Sequence, residues 1–320
     1  MKILYVRHRG CNLYFLDKVL KHVSSRNIKV KIISLKTFSK LGNTCPEDYT
    51  IIYQTYPGEI VKKQWKFPDK MIEKCDLLFL NLKNKNKILF DAHDSGATDG
   101  FSRFIPDSAA YKIKDKTLKK KVSQLGKDFF LKIPRIKNTP SENYLNKFNV
   151  MLHTSFGVRL FPEIDFEKKR LCKFHYWSTQ KNNKLRSVLQ KKIEKVKNKY
   201  SINTDKLNNY QEKLKDVFCE INVAGNGEIC FRHLETLSAG SLLLSQEEIK
   251  DFYAIPYVKL IPYEDYIPYN SENIEEQFDF ILNNEDRINE IRKSGYIKLM
   301  QFYSSKKCAD VFEKYLLNLS

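Results

Sequence analysis

Long apolar runs are missing from this 320-residue chain: the densest, Leu77 to Leu82, is broken by Asn81. It falls far short of the roughly 20 residues that a bilayer-crossing helix needs. The opening stretch is no better, because Ile3 to Val6 runs directly into Arg7, His8 and Arg9, too short a core for a secretion signal. The expectation is a cytoplasmic protein. Cys-x-x-Cys pairs are also absent, and the seven cysteines, at 11, 45, 75, 172, 219, 230 and 308, are odd in number and widely spaced. Such spacing argues against a zinc site and against a disulfide framework, and predicts reduced thiols. No internal repeat is visible, which sets aside solenoids and propellers. Negative charge is short: 38 Asp and Glu face 56 Lys and Arg, a net charge of +18. The excess gathers in Lys83 to Lys87, Lys112 to Lys137 and Lys168 to Lys199. It points to an anionic membrane surface, an acidic or phosphorylated acceptor, or a nucleic acid, although a solvated lysine-biased surface would look the same.

What is present is enough for two cores. Hydrophobic residues make up 42% and aromatics 13%, and a chain of this length exceeds one comfortable domain. Lys2 to Val6, an amphipathic stretch from Asn12 to Val23, and Ile28 to Leu35 read as β-α-β. The apolar runs Tyr49 to Tyr53, Asp76 to Leu82 and Ile88 to Asp91 read as buried parallel strands. Pro134 to Asn149 is rich in Pro, Asn, Ser and Lys and is expected to link the halves. Beyond it, strands are predicted at Leu171 to Trp177, Val217 to Val223, Ser241 to Ser245 and Val258 to Ile261, with a helix after Trp177, one from Glu228, and amphipathic helices to the end. The fold class is α/β, with two Rossmann-like halves. The expected domains are an acceptor-binding lobe at 1–140, a nucleotide-binding lobe at 141–300, and a terminal helix at 301–320 packing back on the first lobe.

The chemistry concentrates between Val217 and Leu244, which parses as strand, Gly225-Asn226-Gly227 turn, helix, Ala239-Gly240 stop, strand. The carboxyl ends of strands in an open α/β sheet are where ligands bind, and a turn there opens on the free N–H groups of a helix. Gly225 and Gly227 would let the backbone approach a diphosphate. Glu228, Arg232 and Glu235 would then share one helical stripe. An arginine in the first turn can neutralise a diphosphate, and an ionised glutamate can accept hydrogen bonds from ribose hydroxyls. An ordinary surface Glu–Arg pair would give the same spacing.

The run Arg232-His-Leu-Glu235-Thr-Leu-Ser-Ala-Gly240-Ser-Leu-Leu-Leu244 resembles the R-x-x-E-x-x-x-x-G signature of GT-B glycosyltransferases, closest to the exostosin-like group. Tyr210-x-x-x-Leu214 ahead of it, and Asn283 to Ser305 after it, also resemble that group. The resemblance implies two Rossmann-like lobes facing across a cleft, with C-terminal helices closing the fold. It implies transfer of a sugar from a nucleoside diphosphate-sugar such as a UDP-sugar to a glycan or glycolipid acceptor, without a metal or other cofactor. Arg232 would hold phosphate and Glu235 ribose or base. Arg186 resembles the basic residue that many GT-B donor lobes place near the phosphates, although a solvated arginine in a Lys-rich helix would look the same. Gly225, Asn226, Gly227 and Glu228, read from their position, are the remaining donor-site candidates. Retaining relatives carry a second glutamate eight residues before the first. Here Gly227 stands in that place, which favours inversion.

In the first half, Asp91-Ala-His93-Asp94-Ser-Gly96 follows a predicted strand. Asp91, His93 and Asp94 are candidates for the base that takes an acceptor proton, although Asp, Ser and Gly also make plain turns. Carboxylate and imidazole could suit a divalent ion, but the resemblance argues against one. His8 and Arg9, after the first strand, are candidate contacts to phosphate or acceptor. A DNA-modifying transferase and a non-catalytic polyanion binder are the competing readings of the charge.

Overall fold

The computed structural model describes residues 1–7, 14–41, 44–54, 69–83, 86–91, 113–155, 157–178, 184–224, 229–246 and 253–318. The chain forms two compact units. The first takes in the described residues up to Ser155 together with those from Ser305 onward. The second takes in those from 157 to Ser304.

The first unit is a six-stranded parallel sheet in the order β2-β1-β3-β4-β5-β6. Its strands are β1 (Lys2–Arg7), β2 (Lys29–Ser34), β3 (Tyr49–Gln54), β4 (Lys87–Asp91), β5 (Arg135–Asn138) and β6 (Val150–Thr154). Ile3 to Val6 and Ile51 to Tyr53 are buried on both faces of the sheet, which is why these strands read as unbroken apolar runs. The helices are α1 (Tyr14–Ser24), α2 (Leu35–Leu41), α3 (Asp69–Asn81), α4 (Lys116–Lys132) and α5 (Glu142–Lys147). The final helix, Ser305–Asn318, packs on α1 and β6. Arg26 pairs with its Asp310 at 2.5 Å and its Glu313 at 2.6 Å.

Two sequence expectations fail in this unit. Asp76 to Leu82 is not a strand but mostly the second half of α3, whose Ile72, Cys75 and Phe79 face the core at helical spacing. An all-apolar run has no period to distinguish strand from helix. Asp76 is tolerated inside because the Tyr53 hydroxyl donates to its Oδ1 at 2.7 Å. The stretch from Pro134 to Asn149 is not a linker either, for it holds β5 and α5. Its prolines punctuate those elements: Pro134 precedes β5, and Pro140 precedes Ser141, whose hydroxyl caps α5 by accepting from Tyr144 N at 3.2 Å.

The second unit is a five-stranded parallel sheet in the order β11-β10-β9-β7-β8. The strands are β7 (Cys172–His175), β8 (Ile202–Asn203), β9 (Val217–Asn222), β10 (Leu242–Gln246) and β11 (Ile267–Tyr269). Helices α6 (Lys184–Tyr200), α7 (Tyr210–Lys213), α8 (Phe231–Ser238), α9 (Ile274–Asn283) and α10 (Glu285–Phe302) accompany them, and the helix from Ser305 becomes α11. Val258 to Ile261 is not a strand. Only an isolated bridge joins Ile255 and Val258, Tyr257 and Tyr263 take left-handed φ of 64° and 60°, and the edge strand is β11. In this sheet the strand order reverses between β7 and β9, whose carboxyl ends therefore flank a crevice.

Candidate donor site on the second unit

Two strand ends and one helix start converge at that crevice. β7 ends in His175 and continues to Trp177, β9 ends in Asn222 and leads to Ala224, and α8 begins at Phe231, not Glu228. Ala224, just before Gly225, is fixed by side chains, since Gln246 Oε1 accepts from Ala224 N at 2.7 Å and Arg186 Nε donates to Ala224 O at 2.9 Å. Gly225, Asn226, Gly227 and Glu228 themselves lie outside the described residues.

Arg232 and Glu235 are both half-buried, and they are not paired with each other. An Nη of Arg232 donates to Trp177 O, and the guanidinium lies 5.1 Å from the Trp177 ring centre and 5.4 Å from that of Tyr210. It makes no ion pair with any described carboxylate. The guanidinium is packed by two aromatic faces, and Glu228, its partner in the surface Glu–Arg pair that the sequence allows, lies outside the described residues. Glu235 Oε1 accepts from Gln211 Nε2 at 2.6 Å. Burial raises the Glu235 carboxyl above its ordinary pKa, against the Gln211 hydrogen bond and the charge of Arg232. Arg186, 8% exposed, has its pKa lowered by burial, and the charge of Arg232 adds to that lowering. Two neighbouring guanidiniums at the start of α8 make a place suited to an anion.

Sequence reading missed the buried layer beneath. Glu220, fully buried on β9, receives His175 Nδ1 at 2.5 Å and the Tyr210 hydroxyl at 2.7 Å. His175 Nε2 lies 3.0 Å from Asp205 O. A carbonyl can only accept, so Nε2 carries a proton, and Nδ1 shares a second proton with the Glu220 carboxyl group. Burial opposes a charge on the ring, but the hydrogen bond and charge of Glu220 outweigh it, and the pKa ends above its ordinary value. Tyr210, whose ring packs under Arg232, is thus tied to this buried pair. A glutamate in the otherwise apolar Val217-Phe-Cys-Glu-Ile was the available signal, because a lone charge on a two-sided strand needs a partner.

His233 is a second residue that sequence reading missed. Its Nδ1 accepts from Cys230 N at 3.0 Å, so Nε2 carries the proton and donates to Ser245 Oγ at 3.0 Å. Burial pushes its pKa down to about 4. The ring pins the start of α8 to the end of β10. At the other end of α8, Gly240 N reaches Leu237 O at 3.0 Å and Ser241 N reaches Thr236 O at 3.1 Å, a Schellman stop with Gly240 at φ 64°.

On the first unit, Asp91 is fully buried at the end of β4. Its Oδ2 receives the Tyr144 hydroxyl at 2.7 Å and lies 3.4 Å from Lys137 Nζ, itself fully buried. That carboxylate is occupied. His93, Asp94, His8 and Arg9 lie outside the described residues. Among the described residues no three His, Cys, Asp or Glu side chains converge as a metal site. None of their helices is long and apolar enough to cross a membrane.

No family model and no curated protein sequence matches this chain. Solved structures do. A sucrose-phosphate synthase from Thermosynechococcus elongatus superposes with a TM-score of 0.53 at 9% identity, covering 100% of this chain and 99% of its own. A glycosyltransferase from Rickettsia africae gives 0.51 at 12% identity over 99% and 98%. HepE of Anabaena, in complex with UDP and glucose, gives 0.50 at 9% over 99% and 100%. With two parallel-sheet α/β units and these full-length matches, the chain has the GT-B fold.

Proposed function

We propose that the chain is a glycosyltransferase that binds a nucleoside diphosphate-sugar, with UDP as the first candidate, on the second unit and transfers the sugar to a glycan or lipid-linked glycan. The observation that supports this most directly is Arg232, a guanidinium held between Trp177 and Tyr210 at the start of α8 with no carboxylate partner among the described residues. In that reading the diphosphate sits against Arg232, Arg186 and the helix start, and Glu235 accepts from the ribose. The UDP in the HepE complex supports the choice of base.

In the transfer, the acceptor hydroxyl oxygen forms a bond to the anomeric carbon as the bond from that carbon to the diphosphate oxygen breaks. The acceptor proton passes to a base, and the leaving diphosphate takes the electron pair. Fixed cations and helix N–H groups aimed at the departing charge supply the electrostatic stabilisation, so the reading requires no metal. His93 or Asp94 is the proposed base. Asp91, already engaged by Lys137 and Tyr144, positions the strand end. Direct displacement inverts the anomeric centre.

The test is a thermal-shift series with UDP, GDP, CMP and dTDP, with and without EDTA, on the native protein and on Arg232→Ala, because a ligand of the folded state raises Tm. The expected result is a shift with one nucleotide, insensitive to EDTA and lost in the variant. No shift with any of the four, in folded protein, would remove the donor site and bring the polyanion-binding reading forward.

A further inference from the structure

The same sheet carries a second basic cavity at its opposite end. It measures about 470 Å³ and is lined by Lys168, Lys169, Arg170, Lys173 and Arg292, with Phe166 and Phe218 among its walls. Only two carboxylates, Glu167 and Glu285, share the lining. Glu167 is turned toward Lys293 at 3.1 Å, and Glu285 stands 4.0 Å from Lys173. The cavity opens where β7, β9 and β10 begin, whereas Arg232 and Glu235 stand where they end. Strands of this length separate the two places by roughly 13–20 Å.

Two guanidiniums define its floor. Arg292 is 2% exposed, with Nε donating to Gly240 O at 3.1 Å, Nη1 to Asn289 Oδ1 at 2.6 Å, and a buried Nη2 that finds no acceptor. Arg170 donates to Lys215 O and, at 3.4 and 3.2 Å, to Ala239 O and Gly240 O, while its buried Nε has no partner. Neither forms an ion pair with a described carboxylate. The carbonyls at the end of α8 offset part of this charge, since a helix C-terminus carries about half a negative charge. Asp165 and Asp216 act on Arg170, and Glu167 and Glu285 on Arg292, without coming within ion-pair distance. Asp216 also serves Lys168, so the lining, with five cations to two carboxylates, keeps an excess of positive charge. Burying like charges together is unfavourable unless a counter-charge joins them.

We propose that this cavity is an anion site, distinct from the donor site, for a phosphate-bearing ligand of at least two negative charges. Arg292 and Arg170 hold the phosphate oxygens from below, and Lys169 and Lys173 close over them. The planar forks of arginine favour phosphate, whose oxygens can accept from two N–H groups at once. The phosphate belongs either to a free anion or to a lipid headgroup.

The test is calorimetric titration of inorganic pyrophosphate into Arg232→Ala protein, which disables the proposed donor site, and into the same protein with Lys169→Gln and Lys173→Gln added. The two lysines are chosen because neither braces a helix end, Lys173 meeting only Glu285 at 4.0 Å and the Phe218 ring at 3.8 Å, whereas Arg292 also braces the end of α8 and its loss could unfold the unit. One saturable site in the first protein, weakened about tenfold or more in the second, is the expected result. Absence of saturable binding in the first, or equal affinity in both, overturns the proposal. Co-sedimentation with phosphatidic acid vesicles separates the sources. Lysine-dependent binding that pyrophosphate displaces identifies a lipid phosphate, and pyrophosphate binding without vesicle binding identifies a free one.

Discussion

Gly240→Ala tests whether the glycine that ends the R-x-x-E-x-x-x-x-G run is structural or touches ligand. Its φ of 64° lies in the left-handed region, and a Cβ placed there would meet Ile164 Cγ2 at 2.6 Å and two carbons of the Phe166 ring at 3.2 and 3.3 Å. The backbone term costs about 1–2 kcal/mol and the forced contact about 1–3 kcal/mol, so a loss of roughly 3 kcal/mol is expected. The two terms can be separated. Ile164→Ala removes the closest atom, and in that background Gly240→Ala should cost only about 1–2 kcal/mol, a coupling between neighbours. The two units need not unfold together, so urea unfolding is followed through Trp177 fluorescence in a Trp65→Phe background. Nucleotide affinity of the folded variant should be unchanged, because Gly240 lies at the far end of α8 from Arg232. A cost below about 1 kcal/mol, or one that Ile164→Ala leaves unaltered, would refute the steric argument.

Two further predictions concern buried histidines of the second unit. The His175 pKa is raised in the folded state, so its pair with Glu220 contributes stability that is fully present below the ordinary histidine value of 6.5 and is lost as pH rises through the raised value. The difference in urea midpoint between native protein and Glu220→Gln should therefore shrink as pH rises above the ordinary histidine value of 6.5. A constant difference would show that His175 does not hold its second proton. His233 behaves oppositely, because its folded pKa drops from 6.5 to about 4. The unfolded state takes up a proton first, so stability should fall by about 3 kcal/mol as pH drops across that interval. His233→Gln should flatten this acid loss while keeping stability near pH 7, since glutamine can accept from Cys230 N in the same capping position. An unaltered acid slope in that variant would assign the loss to other groups.

The alternation of apolar strands and amphipathic helices, and the strand and helix on either side of Gly225 to Glu228, could be read from residues in order, because burial on both faces of a parallel sheet leaves a local trace. The placement of Arg232 and Glu235 on one helix, with Gly240 as its stop, was legible for a similar reason: helical pitch and the left-handed stop are local. The failures follow the limits of local information. Asp76 to Leu82 carries no period, so only packing against Tyr53 and the core decides for helix. The stretch from Pro134 to Asn149 looks like a linker until its strand pairs with β4 and β6. Glu220, His175, Tyr210 and Asp205 are scattered in sequence, and what joins them is strand pairing, which sets His175 beside Glu220 in register. Arg170, Lys173 and Arg292 meet around the end of α8 only once the chain has folded. Sequence determined which segments are buried and that Arg232 and Glu235 share one helix. Tertiary structure decided which buried charges find one another, because a charge can be kept in a core only by a partner that the fold brings from elsewhere in the chain.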